Sequence, residues 1–141
     1  MKKIIIVGGP TASGKSKFAL NLAKLVDGEI INGDSMQVYK YFSILTSQPK
    51  KNDYQVIPHH LYGYVETNIK YNAVKWLGDT HTRIEELLKN NKTPIIVGGS
   101  GLYLEFLYKG VNNMPKISTK TKEKVNFLLQ NISDADLLQL I

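Results

Sequence analysis

Hydrophobic and polar positions along the chain predict strands and helices that alternate. Residues 4–7 form an apolar run rich in β-branched side chains, which is typical of a parallel strand buried on both faces. Apolar positions then recur at helical spacing between residues 16 and 26, and residues 29–32 predict a second strand. Residues 74–91 predict an amphipathic helix and residues 94–97 a third strand. This order favours an α/β fold with a mainly parallel sheet.

Other parts of the chain are less regular. Residues 36–72 lack a clear period and carry turn-forming residues at positions 48–50 and 52–53, so we assign few elements there. A glycine turn at residues 98–101 precedes a short helix that ends near Tyr108. This second succession of strand, glycine turn and helix repeats the opening of the chain and indicates a site with two walls.

The stretch "GPTASGKS" matches the pattern G-x-x-x-x-G-K-[ST] in full, between a predicted strand and a predicted helix. Glycines in such a loop let backbone N–H groups converge on phosphate oxygens at a helix N-terminus. Lys15 would reach the outer phosphate, and the Ser16 hydroxyl would ligate Mg²⁺. The residues expected to bind phosphate are Gly9, Pro10, Thr11, Ala12, Ser13, Gly14, Lys15 and Ser16. The motif does not distinguish phosphoryl transfer from loss of an intact diphosphate, because both reactions build charge on the same oxygens.

Asp34 follows the second predicted strand, and ligands of open α/β sheets bind at the carboxyl ends of strands. Two roles are open for its carboxylate: a helix cap or turn residue, or a group that holds Mg²⁺ or accepts a proton. Ser35 and Gln37 add hydrogen-bonding groups suited to the edge of a base, and the Tyr39 ring is suited to stacking.

Composition narrows the class of protein. A chain of 141 residues, 43% apolar and 21% charged, predicts one folded domain. Eighteen Lys and Arg residues against 12 Asp and Glu give a net charge of +6, which mildly favours a polyanionic partner such as nucleic acid. The absence of cysteine excludes a disulfide framework and a thiolate metal site. No apolar run in the sequence approaches membrane-spanning length, so we expect a cytoplasmic protein with no membrane partner.

Four motifs together resemble the tRNA dimethylallyltransferase family, the isopentenyltransferases that modify adenine beside the anticodon. "GPTASGKS", "DSMQVY", "PHHLYG" and "PIIVGGSGLYL" occur in the family's order across residues 9–104. The resemblance implies a P-loop NTPase-like fold of three layers. It also implies transfer of a dimethylallyl group from dimethylallyl diphosphate to N6 of that adenine in the anticodon stem-loop of tRNA, with Mg²⁺.

The resemblance implies roles for individual residues as well. The glycine loop would bind the diphosphate, and Asp34 would take the proton from the attacking amine, which is a weak nucleophile and benefits from a positioned base. Ser100, where the family usually has threonine, would hydrogen-bond the base or orient the catalytic acid. The implied tRNA-binding residues are Asp34, Ser35, Met36, Gln37, Ser100 and Lys122.

The chain departs from the family pattern at several positions. Lys122 stands where the family has an arginine that contacts tRNA, which keeps the charge and loses the bidentate fork. The family's "IGTAKP" reads "ILTSQP" here, so Leu45 replaces a glycine and Gln48 a lysine. His59 and His60 match the family's "PHH", and a histidine pair without a third ligand at a recognisable spacing favours a structural or substrate contact over a metal site.

The resemblance covers the amino-terminal portion of the family. Residues 1–141 would form a single, incomplete transferase domain, in which residues 112–141 begin the helical tRNA-binding insert with a helix that starts at Ser118. The family continues past Ile141, which follows "DLLQL" without a helix stop. We therefore expect a monomer truncated before the full insert and the carboxy-terminal segment, with weak or absent activity.

Two other functions stay open. A small P-loop kinase would use ATP, with Asp34 as base or Mg²⁺ ligand, but Arg83 is the only arginine of the chain and phosphoryl transfer usually recruits arginine. A non-catalytic remnant of the transferase would retain affinity for ligand or RNA at most. Binding of prenyl diphosphate rather than ATP separates transferase from kinase, and modification of tRNA separates transferase from remnant.

Overall fold

Strands and helices of the computed structural model follow the predicted order over most of the chain. The structure describes residues 3–111, 117–133 and 136–137. Its strands are β1 (Ile5–Gly8), β2 (Gly28–Asn32), β3 (His59–His60) and β4 (Thr93–Gly98). Its helices are α1 (Lys15–Leu25), α2 (Lys51–Val56), α3 (Ala73–Lys89), α4 (Gly101–Lys109) and α5 (Thr119–Asn131). Within those described ranges, no helix is both long and apolar enough to cross a membrane.

The chain divides into two compact units, Met1–Val111 and Asn112–Ile141. The first contains all four strands and helices α1 to α4, and the second contains α5. Helix α5 begins after Ser118, whose hydroxyl accepts a hydrogen bond from the Thr121 amide at 3.1 Å, as predicted for a helix start. The single-domain assignment and the tRNA-binding insert at residues 112–141 stay predictions.

The sheet is parallel throughout, in the order β1-β4-β2-β3. Strand β4 lies in the middle, where Ile95 is in register with Ile5 on one side and Ile30 on the other. Sequential strands that are not neighbours require crossover connections, which helices α1 and α3 supply. The prediction of an α/β fold with a mainly parallel sheet is confirmed.

Helix α1 covers one face of the sheet through small residues. Ala19 and Ala23 are 0% and 1% exposed, and they form one core cluster with Ile30 and Ile95 of the central strands. Because alanine leaves little side chain between helix and sheet, α1 lies close to the strands and the loop that precedes it is held near their carboxyl ends. This packing fixes the position of the candidate phosphate loop.

Helices α3 and α4 cover the opposite face. Trp76 of α3 is fully buried and stacks on Tyr103 of α4, with ring centroids 4.8 Å apart. Both rings belong to a cluster with Ile31 and Ile96, whose side chains alternate with those of the first face. Helices on both faces make the three layers that the family resemblance implies.

The prediction that the first strand is buried on both faces is wrong. Among the described residues β1 pairs only with β4 and lies at the edge of the sheet, where Ile4 and Ile6 are 48% and 42% exposed. A continuous apolar run indicates a strand with two covered faces, but it carries no information about how many strands lie beyond it.

Two short elements fall where few were expected. Strand β3 has only two residues and joins β2 by pairing His59 with Ile30. Helix α2 begins beside the predicted turn-forming residues, because the Asp53 carboxylate accepts a hydrogen bond from the Lys50 amide at 2.8 Å and caps the helix start. Turn-forming residues and helix caps use the same side chains, so residues 52–53 alone did not distinguish them.

Replacing Ile6 by lysine should reduce self-association through the open edge of β1. An exposed apolar edge strand is a template for pairing with another chain, and a lysine there opposes such pairing. We expect Ile6→Lys to keep the wild-type circular dichroism spectrum and to stay monodisperse by light scattering at a higher concentration. Leu25→Lys, the same change at a residue 83% exposed outside the sheet, is the control, and equal improvement by both variants would contradict a role for the edge.

Candidate active site

The glycine loop between β1 and α1 has the backbone geometry of an anion cradle. Ala12 and Gly14 have φ angles of 63° and 82°, in the left-handed region that favours glycine. Gly14 precedes the first residue of α1 and has no side chain with which to cap the helix. The amide groups of the first turn are therefore oriented for an external acceptor, at the positive end of the helix dipole.

A second glycine loop packs directly against the first. Gly8 and Gly98 end their strands in register, and a Cβ on Gly99 would lie 3.1 Å from the Gly9 carbonyl oxygen. Lys15 lies between the two loops, where its Nζ donates a hydrogen bond to the Pro10 carbonyl at 2.5 Å. The predicted two walls are thus brought together, with a cationic side chain between them.

Asp34 lies at the carboxyl end of β2 beside this cradle. Its Oδ1 accepts a hydrogen bond from the Met36 amide at 2.9 Å, which forms a turn of the kind that aspartate favours. A turn role and a chemical role are therefore compatible in the same side chain, because the second carboxylate oxygen is not used in the turn.

One cavity of about 410 Å³ contains the main predicted groups. Its lining includes Lys15 and Ser16 from the phosphate loop and Asp34 and Gln37 from the segment after β2. A larger cavity of about 710 Å³ adjoins it and shares Ser16, Tyr62 and Val97 with its wall. Each of the two cavities has a volume within the usual range for small-molecule sites.

Ser100 ties the two walls together. It precedes helix α4, yet its hydroxyl makes no cap for that helix. Instead its Oγ accepts a hydrogen bond from the Ser35 amide at 2.8 Å and lies 3.2 Å from the Ser35 hydroxyl. The second glycine turn is therefore bonded to the residue next to Asp34, and the predicted role of Ser100 stays a prediction.

Gln37 is already engaged within the chain. Its Nε2 donates to the carbonyl oxygens of Thr46 and Ser47, at 2.7 and 3.3 Å. An adenine that paired with the Gln37 amide through both donor and acceptor would have to displace these bonds. Met36, by contrast, is 54% exposed at the rim of the cavity.

Gln48 forms hydrogen bonds with the segment that contains Gln37, a role that was not predicted from the sequence. Its Nε2 donates to the carbonyl oxygens of Gln37 and Tyr39, at 3.0 and 2.9 Å. The only signal in the sequence was its replacement of a family lysine, which indicated a local difference without its partners. In the structure, these two hydrogen bonds attach Gln48 to the loop that carries Asp34.

The two histidines have different partners. His60 lies 2.6 Å from the Glu29 carboxylate, a neighbour across β2 and β3. His59 faces the larger cavity between the rings of Tyr54 and Tyr62, and its Nδ1 lies 2.7 Å from the Ile57 carbonyl. Burial lowers the pKa of His59, and the Ile57 hydrogen bond opposes that shift in part. In the described part of the chain, no three acidic or histidine side chains group as a metal site.

Comparison with known proteins decides the family. The model of the IPP transferase family matches residues 37–140, which is most of the chain. The chain belongs to the IPP transferase family. The resemblance that the four motifs carry is confirmed.

Curated members of the IPP transferase family are similar to almost the whole chain. The tRNA dimethylallyltransferase of Pelagibacter ubique is 50% identical over 126 residues, which cover 89% of this chain and 40% of that protein. The enzyme of the same name from Rickettsia bellii is 43% identical over 136 residues, covering 96% of this chain and 43% of its own length. The chain thus spans about two fifths of the length of these relatives.

Solved structures of the family have the same fold. A eukaryotic dimethylallyltransferase acting on tRNA superposes with a TM-score of 0.78 at 34% identity, covering 85% of this chain and 31% of that one. The full-length tRNA isopentenylpyrophosphate transferase of Bacillus halodurans gives 0.77 at 28% identity, covering 94% and 44%. The fold prediction is therefore supported by both architecture and family.

Lys122, which stands where the IPP transferase family has an arginine, lies in the second unit. It is exposed on α5, in the first turn after Ser118. Its predicted contact with tRNA stays a prediction, as do the predicted roles of the other site residues.

Removing the Ser100 hydroxyl should loosen the loop after β2. Ser100→Ala leaves the Ser35 amide without its acceptor, at a cost of about 1 kcal/mol, and should speed hydrogen exchange of that amide several-fold. Ser100→Thr, the residue usual in the IPP transferase family, keeps the hydroxyl and is the matched control. Wild-type exchange in Ser100→Ala would show that the hydroxyl does not hold the loop.

The buried His59 should make the fold less stable in mild acid. Because its pKa in the folded state is below the ordinary value of about 6.5, the unfolded chain binds the proton first as the pH falls. The stabilisation is fully present above pH ~6.5 and is lost as the pH falls from there toward the folded-state pKa. His59→Asn should therefore reduce the difference in unfolding free energy between pH 7.5 and pH 5.5, measured in urea.

The matched control for that experiment is His81→Asn, at an exposed histidine of α3. Asp53 and His60, whose charges act on His59, are unchanged in both variants. An equal effect of the two substitutions would contradict the assignment to His59.

Proposed function

We propose that the chain carries the catalytic site of a tRNA dimethylallyltransferase. The reaction joins C1 of the dimethylallyl group to N6 of the adenine beside the tRNA anticodon and breaks the bond from C1 to the diphosphate, which leaves with the electron pair. The observation that supports it best is one cavity lined by both the phosphate loop and Asp34, in a chain of this family. Its curated relatives are named tRNA dimethylallyltransferases, and a similar solved structure is that of a eukaryotic dimethylallyltransferase acting on tRNA.

The phosphate loop would stabilise the departing diphosphate. The α1 amide groups and the Lys15 ammonium are charged or polarised groups already in place before the reaction, so little reorganisation is required when negative charge develops. The residues proposed to bind it are Gly9, Pro10, Thr11, Ala12, Ser13, Gly14, Lys15 and Ser16. An allylic carbon ionises more readily when its leaving group is stabilised in this way.

Asp34 would accept the proton that N6 loses as the new bond forms. The exocyclic amine of adenine is weakly basic, so the reaction benefits from a base, and Asp34 would supply a carboxylate in the same cavity as Lys15. Ser100 would act through Ser35 by holding the main chain next to Asp34. A base must leave its stack to reach such a cavity, as in other enzymes that modify nucleobases.

The donor atoms of the cavity fit Mg²⁺. The Ser16 hydroxyl and the Asp34 carboxylate are hard oxygen ligands, and both line the same space. A bound Mg²⁺ would supply positive charge to the leaving diphosphate. Dimethylallyl diphosphate and Mg²⁺ are therefore the proposed co-substrate and cofactor.

Anionic tRNA fits the charge of the chain, which is +6 over all residues. The proposed contacts are Asp34, Ser35, Met36, Gln37, Ser100 and Lys122. Modification of tRNA also supports the proposed cytoplasmic location and the absence of a membrane partner, and we propose that the chain acts as a monomer.

The position of the only arginine counts against the kinase alternative. Arg83 lies on α3, where it pairs with Glu86 at 2.6 Å, and it does not line the phosphate cavity. A non-catalytic remnant remains the competitor to test, because the chain spans about two fifths of its relatives' length.

Two substitutions test the proposal. The 141-residue chain is incubated with dimethylallyl diphosphate, Mg²⁺ and an unmodified anticodon stem-loop, and prenylated adenosine is measured by nucleoside mass spectrometry. Asp34→Asn should lower the transfer rate by about 10²–10⁴-fold, since it removes the base. Lys15→Ala should weaken binding of dimethylallyl diphosphate, measured by calorimetry, at least about tenfold.

Lys17→Ala is the matched control, because Lys17 is the exposed lysine two positions further along α1. Binding of dimethylallyl diphosphate without transfer would identify a remnant that retains the ligand site. Preference for ATP over the prenyl diphosphate would overturn the proposal in favour of a kinase.

A further inference from the structure

We propose that Asn32 is the positioning residue for Asp34. Asn32 ends strand β2, and its side chain is fully buried, which is unusual for an asparagine. Buried amides cost free energy unless their hydrogen bonds are made, so the partners of this one indicate what it does.

The Asn32 side chain forms hydrogen bonds with both the N–H and the C=O group of the Asp34 main chain. Its Oδ1 accepts a hydrogen bond from the Asp34 amide at 2.8 Å, and its Nδ2 donates to the Asp34 carbonyl at 3.0 Å. The direction of the amide is decided by these partners, because a flipped side chain would set carbonyl against carbonyl and N–H against N–H. Asp34 is thereby held by a second set of contacts besides the peptide chain.

The remaining donor of Asn32 reaches a different part of the fold. Nδ2 also donates to the Leu61 carbonyl at 3.0 Å, 29 residues away along the chain. Leu61 has a φ angle of 62°, an uncommon conformation for a branched residue that requires support from its surroundings. The one amide therefore couples the Asp34 segment to the segment after β3.

The Asn32 backbone is anchored in the core. Its carbonyl accepts a hydrogen bond from Trp76 Nε1 at 2.7 Å, and Trp76 is itself fully buried. A rigid support of this kind places a functional group more accurately than a loop alone. The chain of contacts runs from Trp76 through Asn32 to the main chain of Asp34, and the Asp34 carboxylate in turn accepts from the Met36 amide.

No residue of similar size replaces these contacts. Aspartate has the same shape and keeps the acceptor, but it has no N–H to donate and would direct a carboxylate oxygen at the carbonyls of Asp34 and Leu61. Serine is neutral and keeps a hydroxyl, but it is too short for all three bonds. The pair Asn32→Asp and Asn32→Ser thus tests the amide with and without a new charge.

A readout that does not depend on catalysis comes from amide exchange measured by NMR. The Asp34 amide reports its bond to Asn32, and the Met36 amide reports the position of the Asp34 carboxylate. We expect both amides to exchange roughly tenfold faster in both Asn32 variants. Leu87→Ala, a core change in α3, is the control for general loss of stability and should leave the two amides protected relative to its own global unfolding.

The catalytic consequence rests on the proposed function. In the transfer assay, the Asn32 variants should lower kcat by roughly 10–100-fold and change KM for dimethylallyl diphosphate less than twofold, because the Asn32 side chain forms its hydrogen bonds with Asp34 and Leu61 rather than with the phosphate loop. If the wild-type chain neither binds nor transfers the prenyl group, the proposed function fails, while amide exchange still tests the role of Asn32.

Either of two amide-exchange results would overturn the positioning role. One is wild-type protection of the Asp34 and Met36 amides in a folded Asn32 variant, and the other is equal loss of protection in Leu87→Ala. Circular dichroism shows whether Asn32→Asp folds. If it does not, amide exchange in Asn32→Ser tests the positioning role. An unchanged kcat in a variant with a loosened loop would equally exclude the role.

Discussion

The close approach of two strand ends is the constraint on which the site depends. A Cβ atom on Gly98 would overlap with the main chain of Gly33, so the carboxyl ends of β4 and β2 meet at a distance that only glycine permits. The Gly33 amide donates to the Val97 carbonyl at 2.8 Å and extends the pairing one residue beyond β2. The segment that carries Asp34 is thereby brought against the glycine turn of β4, which also packs on the phosphate loop.

Strand β4 imposes this constraint on both of its neighbours because it is central among the described strands. Its neighbours β1 and β2 carry the phosphate loop and Asp34 at their carboxyl ends, and their parallel direction places both ends on one side of the sheet. Helix α1, held close by Ala19 and Ala23, then fixes the loop on one face. Groups that are 19 residues apart in the chain, such as Lys15 and Asp34, share one cavity for this reason.

Sequence patterns predicted the elements that depend on local order and missed those that depend on distant partners. Residues 4–7, 29–32 and 94–97 read as strands because buried parallel strands are apolar by themselves. Strand β3 has two residues and exists only because β2 lies beside it, and the edge position of β1 is set by which strands pair with it. Neither the existence of β3 nor the edge position of β1 is indicated by the local sequence.

The same distinction applies to the site. The phosphate loop is a contiguous motif whose spacing follows from its backbone geometry, so it was found from the sequence alone. Asn32 reaches the Leu61 carbonyl 29 residues away, and Gln48 reaches carbonyls 9 and 11 residues away, and no spacing rule predicts such partners. A buried-strand pattern that ends in a polar amide two residues before a carboxylate was the available signal for Asn32.

The arrangement of charge explains why these supports are required. In the proposed transfer, negative charge grows on the diphosphate while the amine nitrogen becomes positive, so a cation and a base must face each other across the reacting atoms. Lys15 is held by the Pro10 carbonyl, and Asp34 by Asn32 and Met36. Each of the two charged residues is therefore tied to its own loop by hydrogen bonds that involve the main chain, a support that neither residue type nor motif spacing provides alone.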